Sequence, residues 1–168
     1  MKRFNKEIKA RCTNPEQAAE TLRRLGAVFH GTDNQTDTYF NVPEGRLKLR
    51  EGNIEQALIF YRRPEKDGYK SSDVTLYKSG DTEALKNILT EALGVKKIVE
   101  KKRDIWFLGH VKFHIDELTN LGSFIEIEVI DESGRADQKE MEEQLLHLME
   151  VLKIIKTDLV TGSYLELT

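Results

Sequence analysis

Residues 113–130 read FHIDELTNLGSFIEIEVI. Two runs alternate on either side of a turn containing Gly122, which predicts a pair of antiparallel strands. In the second run Phe124, Glu126 and Glu128 fall on one face and Ile125, Ile127 and Val129 on the other. In the first, Lys112, His114 and Asp116 oppose Phe113 and Ile115. An alternating strand with glutamates also suits a solvated sheet face. If the polar faces meet inside a closed sheet, they instead form a carboxylate-rich floor suited to a hard divalent metal such as Mg2+ or Mn2+.

The same pattern recurs upstream. Residues 4–12 place Asn5, Glu7, Lys9 and Arg11 on one face and Phe4, Ile8, Ala10 and Cys12 on the other. RLKLRE at 46–51 sets Arg46, Lys48 and Arg50 against Leu47 and Leu49. Tyr61 and Arg63 share a face of the run at 56–63, and Lys101 and Arg103 share a face of 96–107. Short strands are also predicted at 36–42 and 73–79, and 65–71 reads as an exposed loop. Three helices punctuate the strands. Asn14 caps the first and Gly26 stops it; Asp81 and Gly94 bound the second; Asp137 caps the third. The second carries an apolar stripe of Leu85, Ile88, Leu89 and Ala92, and 157–168 is expected to hold a short helical turn or cap. The fold predicted is α+β: eight antiparallel strands closing into a barrel, with helices packed outside.

Composition narrows the function. The 168 residues carry a net charge of −3, against a general nucleic-acid binder, and a single cysteine, so no intrachain disulfide forms. No apolar run approaches a membrane span or a signal-peptide core, so the expected location is cytosolic. A single domain over 1–168 and a homodimer are carried as expectations. There is no GxxxxGK[ST] loop. His30, His110 and His147 lack zinc spacing, and His114 is read as structural or solvated although it shares a face with Asp116. If the ionic stripes face inward, cations on several walls can hold a polyanion while carboxylates hold a metal, and a metal-bound triphosphate satisfies both.

The chain resembles the CYTH superfamily, the triphosphate tunnel metalloenzymes, and within it the class IV adenylate cyclase branch. The resemblance rests on NKEIKAR at 5–11, DTYF at 37–40, GRLKLRE at 45–51, IFYRRP at 59–64, VEKKRDIW at 99–106, HIDELTNLGSFIEIE at 114–128 and SYLEL at 163–167. It implies an eight-stranded tunnel, a divalent metal (Mg2+ or Mn2+) and a triphosphate substrate, ATP or inorganic triphosphate. By match to motif, Glu7, Glu126 and Glu128 are metal ligands, and Lys9 and Asp116 are catalytic. Lys9, Arg46, Lys48, Arg50, Arg63, Lys101 and Arg103 are phosphate contacts. Two reactions fit, cyclisation of ATP to cyclic AMP with release of pyrophosphate, and triphosphate hydrolysis. The family's first strand reads ExExK, where this chain has Asn5, Glu7 and Lys9. Asn5 carries no charge, and that departure keeps a third reading open, a module that binds a nucleotide or polyphosphate without turning it over.

Overall fold

The protein is described from a computed structural model covering residues 1–63 and 69–168. The chain runs β1 (Lys2–Arg11), α1 (Pro15–Arg24), β2 (Val28–Phe40), β3 (Arg46–Glu51), β4 (Gln56–Arg62), β5 (Lys70–Tyr77), α2 (Thr82–Leu93), β6 (Val95–Leu108), β7 (Val111–Leu118), β8 (Gly122–Asp131), α3 (Gln138–Val151) and α4 (Tyr164–Leu167). The strands close in the order β1-β5-β4-β3-β2-β6-β7-β8, each neighbour antiparallel. The expected fold class is therefore the one observed.

The main apolar core lies outside the barrel. Ile8 and Ala10 of β1, Phe113 and Ile115 of β7 and Ile125, Ile127 and Val129 of β8 pack with Leu22 of α1 and Met141, Leu145, Leu148 and Met149 of α3. Burying each large side chain there contributes roughly 1.5–3 kcal/mol. Alternation then turns the ionic half of the same strands inward. The helix ends follow their chemistry: the side chains of Asn14, Asp81 and Asp137 accept from Gln17 N, Ala84 N and Glu140 N, and Gly94 stops α2 with φ +75°.

Three local expectations change. The strand expected at 36–42 is the end of one that begins at Val28. The strand expected from 73 starts at Lys70, so 70–71 are strand, while 65–68 of the expected loop lie outside the described residues. The stripe on α2 is only partly covered: Leu85 and Leu89 are half-buried, none of its residues is fully buried, and Ile88 is 64% exposed. Periodicity names the apolar face of a helix, but not whether anything packs on it. Among the described residues, no helix is long and apolar enough to cross a membrane.

Candidate active site

Strand register sets the floor of the site. Across β1 and β8, Lys9 lies opposite Glu126 and Glu7 opposite Glu128; across β7 and β8, His114 lies opposite Glu126. Glu126 is the hub. Lys9 Nζ is 2.9 Å from it, Arg103 Nη2 3.0 Å and His114 Nδ1 2.8 Å. Arg103 also makes a two-pronged bond to Asp116, 2.6 Å on each prong, and the Tyr164 hydroxyl donates to the same carboxylate at 2.6 Å. Glu7 pairs with Arg63 Nη2 at 2.6 Å.

The opposite wall is organised by a residue that sequence reasoning did not single out. Asp37 of β2 receives Nε and Nη2 of Arg50 at 2.9 Å each, Lys48 Nζ at 2.9 Å and Lys101 Nζ at 2.7 Å. Two more were missed. Asp33 is fully buried and accepts the backbone N–H groups of Ile54 and Glu55. The turn so held presents Glu55 to Arg50, Lys112 and Gln35. A Cβ on Gly52 would meet Asp33 Oδ1 at 2.5 Å, so this close approach of the turn needs glycine.

These contacts set the charge states. Burial raises the pKa of Asp37, but Arg50, Lys101 and Lys48 outweigh it and hold the carboxyl well below the usual carboxylate range. Glu126 follows the same logic, burial opposed and overcome by Lys9, Arg103 and the His114 bond. Glu7 goes the other way: burial lifts it, Arg63 opposes, and the neighbouring Glu128 and Glu126 lift it further. Burial, with Arg50 and Arg103 adding, pushes Lys101 well below its ordinary value against the pull of Asp37. Lys70 falls to about 8, by burial and then by Arg63 and Lys9.

The structure brings Lys9, Lys48, Arg50, Arg63, Lys101, Arg103, Glu7, Glu126 and Glu128 to the lining of one cavity of about 60 Å3. Asp116 sits behind Arg103, and Arg46 stands at the rim. Arg46 is bound by Glu166 and by Ser163 Oγ, which brings the C-terminal segment across that end. A second cavity of about 220 Å3, bordered by Arg46, Tyr61, Arg63, Lys70 and Gly162, shares Tyr61 and Arg63 with the first.

Two kinds of unpaired polar atom face this interior. Arg63 Nη1 and Arg3 Nε are buried donors with no hydrogen-bond partner; Asn5 Oδ1 and Glu128 Oε2 are buried acceptors with none, the nearest cation to Glu128 Oε2 being Arg3 Nη2 at 3.9 Å, beyond hydrogen-bond range. Such atoms are costly to leave unmet. The donors ask for an anion and the acceptors for a cation or a further donor. The donor set also fits a divalent metal: ligand atoms of His114, Glu126 and Glu128 lie within 4.8 Å of one another.

The chain is similar to known proteins in sequence and in fold. The family model of the CYTH domain matches residues 3–164. A protein of Methanocaldococcus jannaschii named "Putative adenylate cyclase" is 29% identical, over 96% of this chain and 96% of its own. A solved structure from Pyrococcus horikoshii superposes with a TM-score of 0.83 at 24% identity, covering 97% of this chain and 98% of that one. Another, a Hippeastrum protein named as a "putative adenylyl cyclase" that reveals a dominant triphosphatase activity, superposes at 0.61 with 16% identity, covering 89% and 88%.

Proposed function

The chain belongs to the CYTH domain family, and from that premise we propose that it is a metal-dependent enzyme acting on a triphosphate inside its barrel. One observation carries the reading: a single ionic cavity holds buried unpaired donors and buried unpaired acceptors together. A polyanion alone would leave Asn5 and Glu128 unmet. A metal alone would leave Arg63 and Arg3 unmet. A triphosphate with its metal meets both sets.

Glu7, Glu126 and Glu128 would hold the divalent ion, Mg2+ or Mn2+, with Asn5 offering a neutral oxygen. When bound, the ion neutralises phosphate oxygens as charge builds on them. The chain's own residues do the remaining work. Asp37 fixes Lys48, Arg50 and Lys101 before any ligand arrives, so they need not reorganise as the reaction proceeds. Each lysine spends one N–H on Asp37 and keeps two for phosphate oxygens. Lys9, positioned by Glu126, stands nearest the carboxylates and steadies charge on the reacting phosphoryl group. Asp116 keeps Arg103 in one orientation and so acts through it. Arg63 and Tyr61 lead from the inner cavity into the larger one, which can take what lies beyond the phosphates, such as a nucleoside.

The reaction is either cyclisation of ATP or hydrolysis of a triphosphate, and one assay separates them. Purified protein is given ATP or inorganic triphosphate with Mg2+ or Mn2+, and the products are resolved. Cyclic AMP with pyrophosphate marks a cyclase; orthophosphate without cyclic AMP marks a triphosphatase. No product under any of these metals, alongside a thermal shift with triphosphate, rejects the enzyme and leaves the binding module.

Lys101→Ala tests the cation wall. The Lys101 side chain is 1% exposed and reaches Asp37 from β6. Losing one charge-assisted phosphate bond is expected to weaken triphosphate binding about 10- to 100-fold, with a smaller change in maximal rate. Calorimetric titration with tripolyphosphate and metal reads it, and an unchanged Kd would remove Lys101 from the substrate site.

A further inference from the structure

SYLEL at 163–167 folds as α4 and its cap, outside the eight strands, yet it sends Tyr164 into the site. Tyr164 is 3% exposed and touches two of the charged groups there. Its hydroxyl donates to Asp116 Oδ2 at 2.6 Å, and the centroid of its ring lies 3.5 Å from Lys9 Nζ. The negative face of an aromatic ring attracts an ammonium, most strongly where water is excluded.

Followed outward from Tyr164, these contacts close on themselves. Asp116 takes both prongs of Arg103, and Arg103 Nη2 reaches Glu126 Oε2 at 3.0 Å. Glu126 Oε1 holds Lys9 Nζ at 2.9 Å, and Lys9 returns to the Tyr164 ring. Four members of this circuit stand on four strands, β7, β6, β8 and β1. Tyr164 alone of the five comes from outside the barrel wall, and it joins the circuit at both ends, through a hydroxyl and through a π face. The backbone leads it there. Val160 N donates to the Lys9 carbonyl at 2.8 Å, and Leu159 bridges to Ala10. Arg46 then holds Ser163 Oγ at 2.6 Å, and Phe124 packs edge-on against the Tyr164 ring with centroids 5.3 Å apart.

An ammonium has three N–H donors. Glu126 takes one and the ring face another, which leaves one for the cavity that Lys9 lines. With Glu126 alone, the ammonium would turn about that single bond. We propose that Tyr164 is a positioning residue: its ring fixes the Lys9 ammonium so that the remaining N–H meets the reacting phosphoryl group, and its hydroxyl ties Asp116 to the same frame. This role rests on the triphosphate reading above and makes α4 a part of the active centre rather than a cover over one end of the barrel.

The test combines nuclear magnetic resonance of lysine-labelled full chain with kinetics. Protons above an aromatic face resonate upfield. The side-chain protons of Lys9, assigned with Lys9→Arg, are expected upfield of the ordinary lysine range. The shift is expected to persist in Tyr164→Phe, which keeps the ring, and to vanish in Tyr164→Leu, which keeps an apolar side chain without one. With triphosphate and Mg2+ or Mn2+, Tyr164→Leu is expected to lower kcat about 10- to 100-fold and to move KM by less than about threefold, since misplacing a group that acts in the transition state costs rate rather than affinity. Tyr164→Phe gives up only the bond to Asp116, which Arg103 still holds, and is expected to lose less than about fivefold.

A fall in Tm of Tyr164→Leu with the Lys9 signals and kcat unmoved would be the mark of packing alone and overturns the proposal. Equal losses of kcat in the two variants, or an ordinary Lys9 signal in the wild type, also overturn it. The wild-type spectrum decides even if Tyr164→Leu does not fold. The two readings fail separately. Turnover with an ordinary Lys9 signal overturns the role of Tyr164 and leaves the enzyme. An upfield Lys9 signal that vanishes in Tyr164→Leu, without turnover in the wild type, supports the placement of Lys9 by Tyr164 and removes the enzyme.

Discussion

Glu126→Gln is expected to lower metal-dependent turnover by about 100- to 1,000-fold, the usual cost of removing one preorganised charge partner from a water-poor site. The reason is the number of groups that depend on this one carboxylate. Lys9, Arg103 and His114 all point at it. Glutamine keeps the shape but removes the charge, and its amide N–H2 can face three donors. Turnover measured against metal concentration in both proteins reads the effect, with thermal unfolding as the check on folding. Full activity with an unchanged metal dependence would show that the reaction occurs elsewhere. The loss should exceed that of Lys101→Ala, because Lys101 is one cation among several whereas Glu126 holds the floor of the site.

The largest stability effect is expected at Asp37→Asn. Removing one partner of a buried ion pair costs roughly 3–5 kcal/mol, because the other charge is left uncompensated; here three cations are left. For a chain of this size that is a fall in Tm on the order of 10 °C. The pH dependence has a definite sign. The folded-state pKa of Asp37 is depressed well below its unfolded value of about 4. Its contribution is therefore fully present above pH of about 4 and is lost as pH falls toward the folded value. Wild type and variant should differ most at neutral pH and converge in acid. Tripolyphosphate should raise the Tm of the variant more than that of the wild type, since the polyanion replaces the missing carboxylate. Calorimetric scans between pH 7 and pH 3, with and without tripolyphosphate, test both halves. Equal Tm values at neutral pH would mean that Asp37 does not bind the cations together.

Where one face of a strand is apolar and the other ionic, the sequence was legible. β1, β3, β7 and β8 alternate cleanly, and their inward residues Glu7, Lys9, Lys48, Arg50, Glu126 and Glu128 could be named from period two alone. That these stripes face inward does not follow from alternation, since a solvated face has the same pattern. The family resemblance supplied that step, and the closed strand order bears it out.

β2 was illegible along most of its length for a physical reason. Its inner face carries Asp33, Gln35 and Asp37, while its outer face carries Thr32, Asn34, Thr36 and Thr38 and is also polar. With neither face apolar there is no alternation to read, and the register shift between Phe29 and Gly31 breaks the period further. Asp37 was thus seen only as part of a motif. Glu55 was hidden differently: it belongs to a turn, and only Asp33, distant in sequence, directs it inward. His114 was visible on the right face, but spacing between histidines could not flag its bond to Glu126 on the next strand.

The helices are unevenly shared around the barrel. α1 and α3 brace β1, β7 and β8 through the main apolar core; among the described residues no helix packs on β4 or β5 to that extent, and α2 rests on β2 and β3 with no fully buried residue. A cylinder stiffened along one side flexes along the other. If a wall yields as a ligand enters, it should be the unbraced arc from β3 to β5. Amide hydrogens there should exchange faster than those of β1, β7 and β8 and slow when polyphosphate binds; equal protection around the whole circumference would argue against it. Stiffness on one side would then keep the carboxylate floor in register, while compliance on the other sets how quickly ligand enters and leaves.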